Sequence, residues 1–177
     1  FAKGVTSGYA PLGGVIVSDR LAAPFLEDDT AVFLHGITFG GHPVSCAVAL
    51  ANIDVMEKEN ILANVLENEP IFDEIMEQLK ELPFVGDVRG CGYFRVLELV
   101  KDKNTKQSFT DEECNWLLRD ELSPRIFEAG LICRVDDRAD PVLVLSPTLI
   151  CGPDELRFIA EVLTDALHHA AEEFQKR

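Results

Sequence analysis

Phe1-Ala2-Lys3-Gly4-Val5-Thr6-Ser7-Gly8-Tyr9-Ala10-Pro11-Leu12-Gly13-Gly14 is the stretch on which the reading of this chain turns. One lysine stands among small residues, with apolar Phe1-Ala2 ahead of it and Val15-Ile16-Val17 behind the glycine pair. Glycines at 4, 8, 13 and 14 permit positive φ and close backbone approach, which predicts a tight, irregular path rather than a helix. A lysine on such a path has its stem fixed in place. A lysine amine does covalent chemistry once partial desolvation disfavours its ammonium form, and it then condenses with an aldehyde. The competing reading is a solvated lysine with no chemical role.

A second stretch, His35-Gly36-Ile37-Thr38-Phe39-Gly40-Gly41-His42-Pro43, is a glycine-rich loop whose proline stands where a helix would start. Val44 to Lys58 follows, with Val44, Val48, Ala51 and Val55 at helical spacing. Backbone N–H groups at a helix start, with a hydroxyl such as that of Thr38, suit a phosphate. A purely structural turn is the alternative.

The 177 residues, 47% of them hydrophobic, are enough to bury a core. A net charge of −15 argues against nucleic acid and against anionic membrane as partners. No apolar run approaches the roughly 18 residues of a membrane helix. Cysteines at 46, 91, 114, 133 and 151 form neither a CxxC pair nor an even set, so they read as buried thiols of a reducing compartment, by default the cytoplasm. The first residue is Phe and not Met, in what reads as mid-strand, so the chain is expected to be the C-terminal part of a longer protein.

Along the chain, Gly14 to Ser18 reads as a strand, Asp19 to Phe25 as a helical turn ended near Pro24, and Val32 to Leu34 as a short extended piece. Leu62, Leu66, Ile71, Ile75 and Leu79 continue a helical pattern in which Pro70 predicts a kink, or two helices meeting near 68–70. Val85 to Val100 reads as two strands around a glycine turn. Thr110 with Glu113 is a capping-box signature for a helix through Phe127 that Pro124 would split, and Gly130 is its stop. Leu131–Arg134 and Val142–Ser146 read as strands. Pro153 to Gln175 reads as an amphipathic helix with Leu156, Ile159, Leu163 and Leu167 on one face.

The first stretch resembles the active-site lysine segment of the class III aminotransferases, which are pyridoxal-phosphate (PLP) enzymes of fold type I. The Gly-x-Thr-x-x-Gly-His-Pro loop about thirty-five positions further on is similar to that family's second cofactor landmark, and Val88-Arg89-Gly90-Cys91-Gly92 to its small-domain signature. Arg95 and Val96 depart from the small or aromatic residue and glycine expected there. The resemblance implies an α/β fold: residues 1–60 as the C-terminal part of the PLP-binding large domain with the start of a connector helix, and 61–177 as an α+β small domain. It implies that Lys3 holds pyridoxal 5'-phosphate as a Schiff base, and that Thr38 and Phe39 are cofactor-binding. Thr38 would reach the phosphate of the neighbouring subunit, so a homodimer or larger assembly with shared active sites is expected.

Arg134-Val135-Asp136-Asp137-Arg138-Ala139-Asp140 is either a solvated charged loop or a carboxylate clamp, since a guanidinium matches a carboxylate with two parallel hydrogen bonds. Relatives acting on ornithine or γ-aminobutyrate carry an arginine three residues before the proline of Ser146-Pro147-Thr148-Leu149, where this chain has Val144. Relatives pairing amines or β-amino acids with pyruvate carry a mobile arginine about ten residues before it, close to Arg138. The resemblance therefore makes Arg138 the substrate candidate, with Arg134 second, and favours an ω-amine or β-amino acid donor with a keto acid acceptor. The ring-nitrogen aspartate, stacking aromatic and main phosphate cup precede the lysine in the family, so residues 1–177 alone are expected to be nearly inactive. Two other readings stay open: a relative with decarboxylase or aminomutase chemistry, and a non-catalytic oligomerisation or binding module.

Overall fold

Arg95, Leu97 and Leu99 are buried while Val96 and Glu98 are half exposed, and this period of two builds the central strand of a four-stranded sheet. The structure is a computed structural model that describes residues 1–136 and 140–177. It divides into two units, Phe1–Asn60 and Ile61–Arg177.

In the second unit the strands β1 (Val85–Cys91), β2 (Phe94–Leu99), β3 (Arg134–Asp136) and β4 (Val142–Leu145) run in the order β1-β2-β4-β3, each antiparallel to its neighbour. The register sets Val88 opposite Leu97, and Leu97 and Val135 both opposite Leu143. Val85, Leu97, Leu99, Leu143 and Leu145 are all buried in the core. The same core takes Phe72, Ile75, Met76 and Leu79 from α3 (Ile61–Lys80) and the apolar face of α6 (Pro153–Phe174). That face carries the predicted Leu156, Ile159, Leu163 and Leu167, joined by Ala166 and Ala170. Leu117, Leu118, Leu122 and Ile126 close it from one continuous helical path: α4 (Asp111–Asn115), a π segment (Trp116–Leu122) and α5 (Ser123–Glu128).

Pro70 lies inside α3, which does not divide there. The break falls at Asn60, whose φ of 52° ends α2 (Pro43–Lys58) in the left-handed conformation. Proline removes one helical hydrogen bond, and burial of Phe72 to Leu79 beyond it carries the helix through. Pro124 does not split the later helix either. It stands at the second residue of α5, directly after the π segment, and the path stays helical through it, with the π segment as the irregularity. Arg95, the departure noted in the sequence, is buried. It pairs with Glu69 at 3.1 Å and Asp73 at 2.7 Å, and donates to the carbonyls of Gly92 and Gly90 at 2.8 and 3.2 Å.

The capping box forms as expected: the Thr110 hydroxyl accepts from Glu113 N, and the Glu113 carboxylate accepts from Thr110 N. Thr110→Ala is expected to destabilise the second unit by about 1 kcal/mol in urea unfolding. The Glu113 carboxyl lies below its ordinary range because Lys101 and the Thr110 N–H both bond it. Its folded pKa is depressed, so its contribution is full above the unfolded value and is lost as pH falls through the folded one. Both of those donors remain in Thr110→Ala, so acid should lower the stability of the unmodified chain and of the variant alike and leave the Thr110→Ala penalty nearly level.

In the first unit a single 3-10 turn (Lys3–Thr6), α1 (Asp19–Glu27) and α2 are the regular elements, and only Thr6, Ser45 and Ala49 are buried. The expected strand over 14–18 does not form. An extended segment becomes a strand only when another pairs with it, and among the described residues the pairing here is one bridge, Ala2 to Gly13. Val32 to Leu34 likewise stays unpaired. Pro24 lies inside α1 instead of ending it. The face of α2 turned inward is Ser45, Ala49, Asn52 and Met56, while Val44 and Val55 are exposed. The thiols also differ from expectation: Cys91 is exposed, and the other four cysteines are half-buried. Burial pushes the Cys133 thiol up to about 11, so it stays protonated at neutral pH.

Candidate active site

Lys3 opens the 3-10 turn with φ 54°, a left-handed conformation that costs a non-glycine residue roughly 1 kcal/mol. Two groups hold the turn in spite of that cost. The buried Thr6 hydroxyl donates to Ala10 O at 2.6 Å, closing the loop from inside. The Asn52 side chain on α2 donates to Gly4 O at 3.1 Å and Val5 O at 3.2 Å. Gly14 N bonds Phe1 O at 2.9 Å, and the exposed Phe1 ring packs over Gly14 where a Cβ would stand, so a larger residue there would displace the ring. The Lys3 side chain is exposed, and its amine has no hydrogen bond or ion pair among the described residues. The backbone under it is fixed, while the amine stands open to solvent and lacks, among the described residues, the partial desolvation expected of a reactive lysine.

The 36–42 loop is built from two turns, Gly40 N to Ile37 O at 2.9 Å and His42 N to Phe39 O at 3.1 Å. His42 caps α2, its Nδ1 accepting from Ser45 N at 3.4 Å, and Pro43 takes the first helical position. The Phe39 ring meets the His42 ring edge-on at 5.8 Å. A groove of about 600 Å³ lies between this loop and Tyr9–Gly13. Its walls include Phe39, Gly40, Gly41 and His42, but neither Lys3 nor Thr38. Thr38 is exposed, so Phe39 is the predicted residue that the groove joins to the lysine loop.

The residues fit an aldehyde-bearing phosphate cofactor. An unpartnered amine suits the aldehyde, and the Thr38 hydroxyl beside the first turns of a 16-residue helix suits the phosphate. Gly36 and Gly41 have nothing within 4 Å of where a Cβ would stand, which leaves the loop face clear.

In the second unit Arg134 begins the edge strand β3 and pairs with Asp136 at 2.6 Å. Arg138 lies outside the described residues. Asn52 was not legible as a site residue. Its only sequence signal is the spacing of Ser45, Ala49, Asn52 and Met56, which competes with the more apolar valine stripe of the same helix.

The sequence model described as aminotransferase class-III matches residues 1–167. A probable aminotransferase of Mycobacterium tuberculosis is 53% identical over 166 residues, 94% of this chain and 35% of that protein. The putrescine–pyruvate aminotransferase of Pseudomonas aeruginosa is 38% identical over 156 residues, 88% of this chain and 32% of that protein. Among solved structures, a thermostable (S)-enantioselective omega-transaminase from Thermomicrobium roseum superposes with a TM-score of 0.82 at 38% identity, covering 96% of this chain and 36% of that one. A transaminase from the marine bacterium Virgibacillus gives 0.85 at 32% identity, with 98% and 39% covered. The chain thus spans about a third of the length of these relatives. No helix among the described residues is long and apolar enough to cross a membrane. With the match running through both units and the lysine and threonine loops in their family order, the chain belongs to the class III aminotransferases, on the fold of the fold type I transaminases.

Proposed function

We propose that the protein containing this chain moves an amino group from an amine or an ω- or β-amino acid to a keto acid, in the cytoplasm, with PLP held on Lys3. The observation that carries the reading is the open Lys3 amine on a turn clamped by Thr6 and Asn52. When bound, PLP supplies an electron sink for the carbanion formed at the substrate carbon.

The protein's own groups do the rest. Lys3 would hold the cofactor, and its Nζ, once free, would serve as the base and acid that moves the proton at the substrate carbon. Thr38 and the start of α2 receive the phosphate, from the neighbouring subunit's cofactor in a homodimer, and Phe39 walls the groove beside it. Arg138 receives the substrate carboxylate. Arg134 is second because a carboxylate there must displace Asp136. In this reading 1–60 is the end of the cofactor-binding large domain and 61–177 the small domain, and 1–177 alone is inactive. The putrescine–pyruvate relative, at 38% identity, supports an amine donor and pyruvate as the first pair to assay.

The test is reductive trapping. The protein is mixed with PLP, treated with borohydride, digested and sequenced by mass spectrometry. The phosphopyridoxyl group is expected on Lys3. A label confined to other lysines, or none in folded protein, would overturn the assignment. Carbon dioxide release in place of keto acid consumption would favour the decarboxylase alternative.

A further inference from the structure

Away from these loops, α6 meets the π segment and α5 through a compact set of charged side chains. His169 Nδ1 lies 2.7 Å from Glu121 Oε1, and its Nε2 lies 2.8 Å from an Arg125 Nη. Arg125 Nε also donates to Glu121 at 3.2 Å, and its other Nη lies 3.9 Å from Asp165. Glu173 stands 4.0 Å from His169 Nε2 and is held by Lys176 at 2.7 Å.

These partners select the tautomer of a neutral ring. An ionised carboxylate only accepts, so Nδ1 must carry a proton to bond Glu121. A guanidinium only donates, so Nε2 must be bare to receive Arg125. A neutral ring that serves both partners carries its proton on Nδ1. A proton added at Nε2 converts that acceptor into a donor facing the Arg125 donor, and the two repel. Acceptors for both already stand close: Glu173 for the new Nε2–H, and Asp165 with Glu121 for the released guanidinium. The ring faces Glu121 from the π segment and Arg125 from α5. On its own helix it faces Glu173 with Lys176, and Asp165 through Arg125.

We propose that Glu121, His169 and Arg125 form a proton-operated latch between α6 and α5, in which protonation of His169 Nε2 hands Arg125 from the ring to Asp165. No covalent bond changes; one proton is taken from solvent and two hydrogen-bond partners are exchanged. The latch lies where α5 leads through Gly130 to β3, and one turn before Phe174, whose ring packs on Phe84, Phe109 and Trp116. Asp165 lies on α6 as His169 does, so α5 stays tied to α6 while Arg125 changes partner.

The test is a pH series of long-range nitrogen–proton spectra on the full chain labelled with 15N-histidine and 15N-arginine. His169 is assigned by loss of its signal in His169→Gln, or by elimination with the corresponding variants of His35, His42 and His168. Above its titration, His169 is expected to show a bare Nε2 and a protonated Nδ1. Through the titration the bare-nitrogen signal is lost and the Arg125 side-chain signals shift in step. Glu121→Ala removes only the Nδ1 acceptor; Glu121→Ala with Arg125→Ala, which removes both partners, is expected to return the ring to the Nε2–H tautomer. An Nε2–H or mixed tautomer in the unmodified chain overturns the latch. So does an Arg125 signal that ignores the histidine's titration, or an Nδ1–H tautomer that survives the double substitution.

Discussion

Gly90→Ala is expected to cost the second unit about 4 kcal/mol or more, a loss of the size seen when a substitution has no room to relax. Gly90 has φ +137°, outside the range that L side chains adopt. A Cβ there would run into the Phe94 carbonyl oxygen and lie 2.9 Å from Arg95 Cα. Both are backbone atoms of the paired strand, in the register that sets Gly90 opposite Arg95, so neither yields without opening the hairpin. The same shift would disturb the Arg95 bonds to Gly90 O and Gly92 O and its pairs with Glu69 and Asp73. Gly92, two residues on, is the control. Its φ is +51° and its Cβ would meet only Val65 at 3.5 Å, an ordinary contact, so Gly92→Ala should cost only about 1 kcal/mol. Urea unfolding followed through the single tryptophan, Trp116 in the π segment, reads the second unit directly. Equal midpoints for the two variants would show that the hairpin turn relaxes freely and that its glycines are interchangeable.

What could be read from sequence divides by the range of the interaction. The β1–β2 hairpin, the Thr110–Glu113 box and the buried face of α6 were legible because each is written within a few residues, as alternation, spacing or a cap. The Lys3 and Thr38 loops were legible as glycine-rich irregular segments for the same reason. Pro70 misled because its local cost is overruled by the burial of Phe72 to Leu79, which no short window displays. Arg95 was visible only as a departure. Its role depends on Glu69 and Asp73 in α3, more than twenty residues away. Asn52 depends on carbonyls 47 and 48 residues earlier. Val15 to Val17 had the composition of a strand but not the partner that makes one.

In the protein containing this chain, Lys3→Ala is expected to lower turnover with an amine donor and pyruvate by about a thousandfold or more, since it removes the proposed covalent anchor and the proposed proton carrier. The informative comparison is Asn52→Ala. Asn52 does not touch the amine; it fixes the carbonyls of Gly4 and Val5, the two residues after Lys3, and through them a lysine held at φ 54°. With that clamp gone the turn can relax toward ordinary φ, and the amine loses its fixed approach. A misplacement of about 1 Å can cost on the order of a hundredfold in rate, so Asn52→Ala should fall about ten- to a hundredfold. The loss should be in kcat more than in KM, because Asn52 acts on the turn under Lys3 and not on Arg138 or Arg134, the proposed substrate contacts. Trapping with borohydride should still label Lys3 in the Asn52 variant, since the nucleophile remains. Unchanged kcat in Asn52→Ala would mean that the Thr6–Ala10 bond suffices to hold the turn. Substantial turnover in Lys3→Ala would remove Lys3 from the reaction altogether and with it the proposed role of the turn.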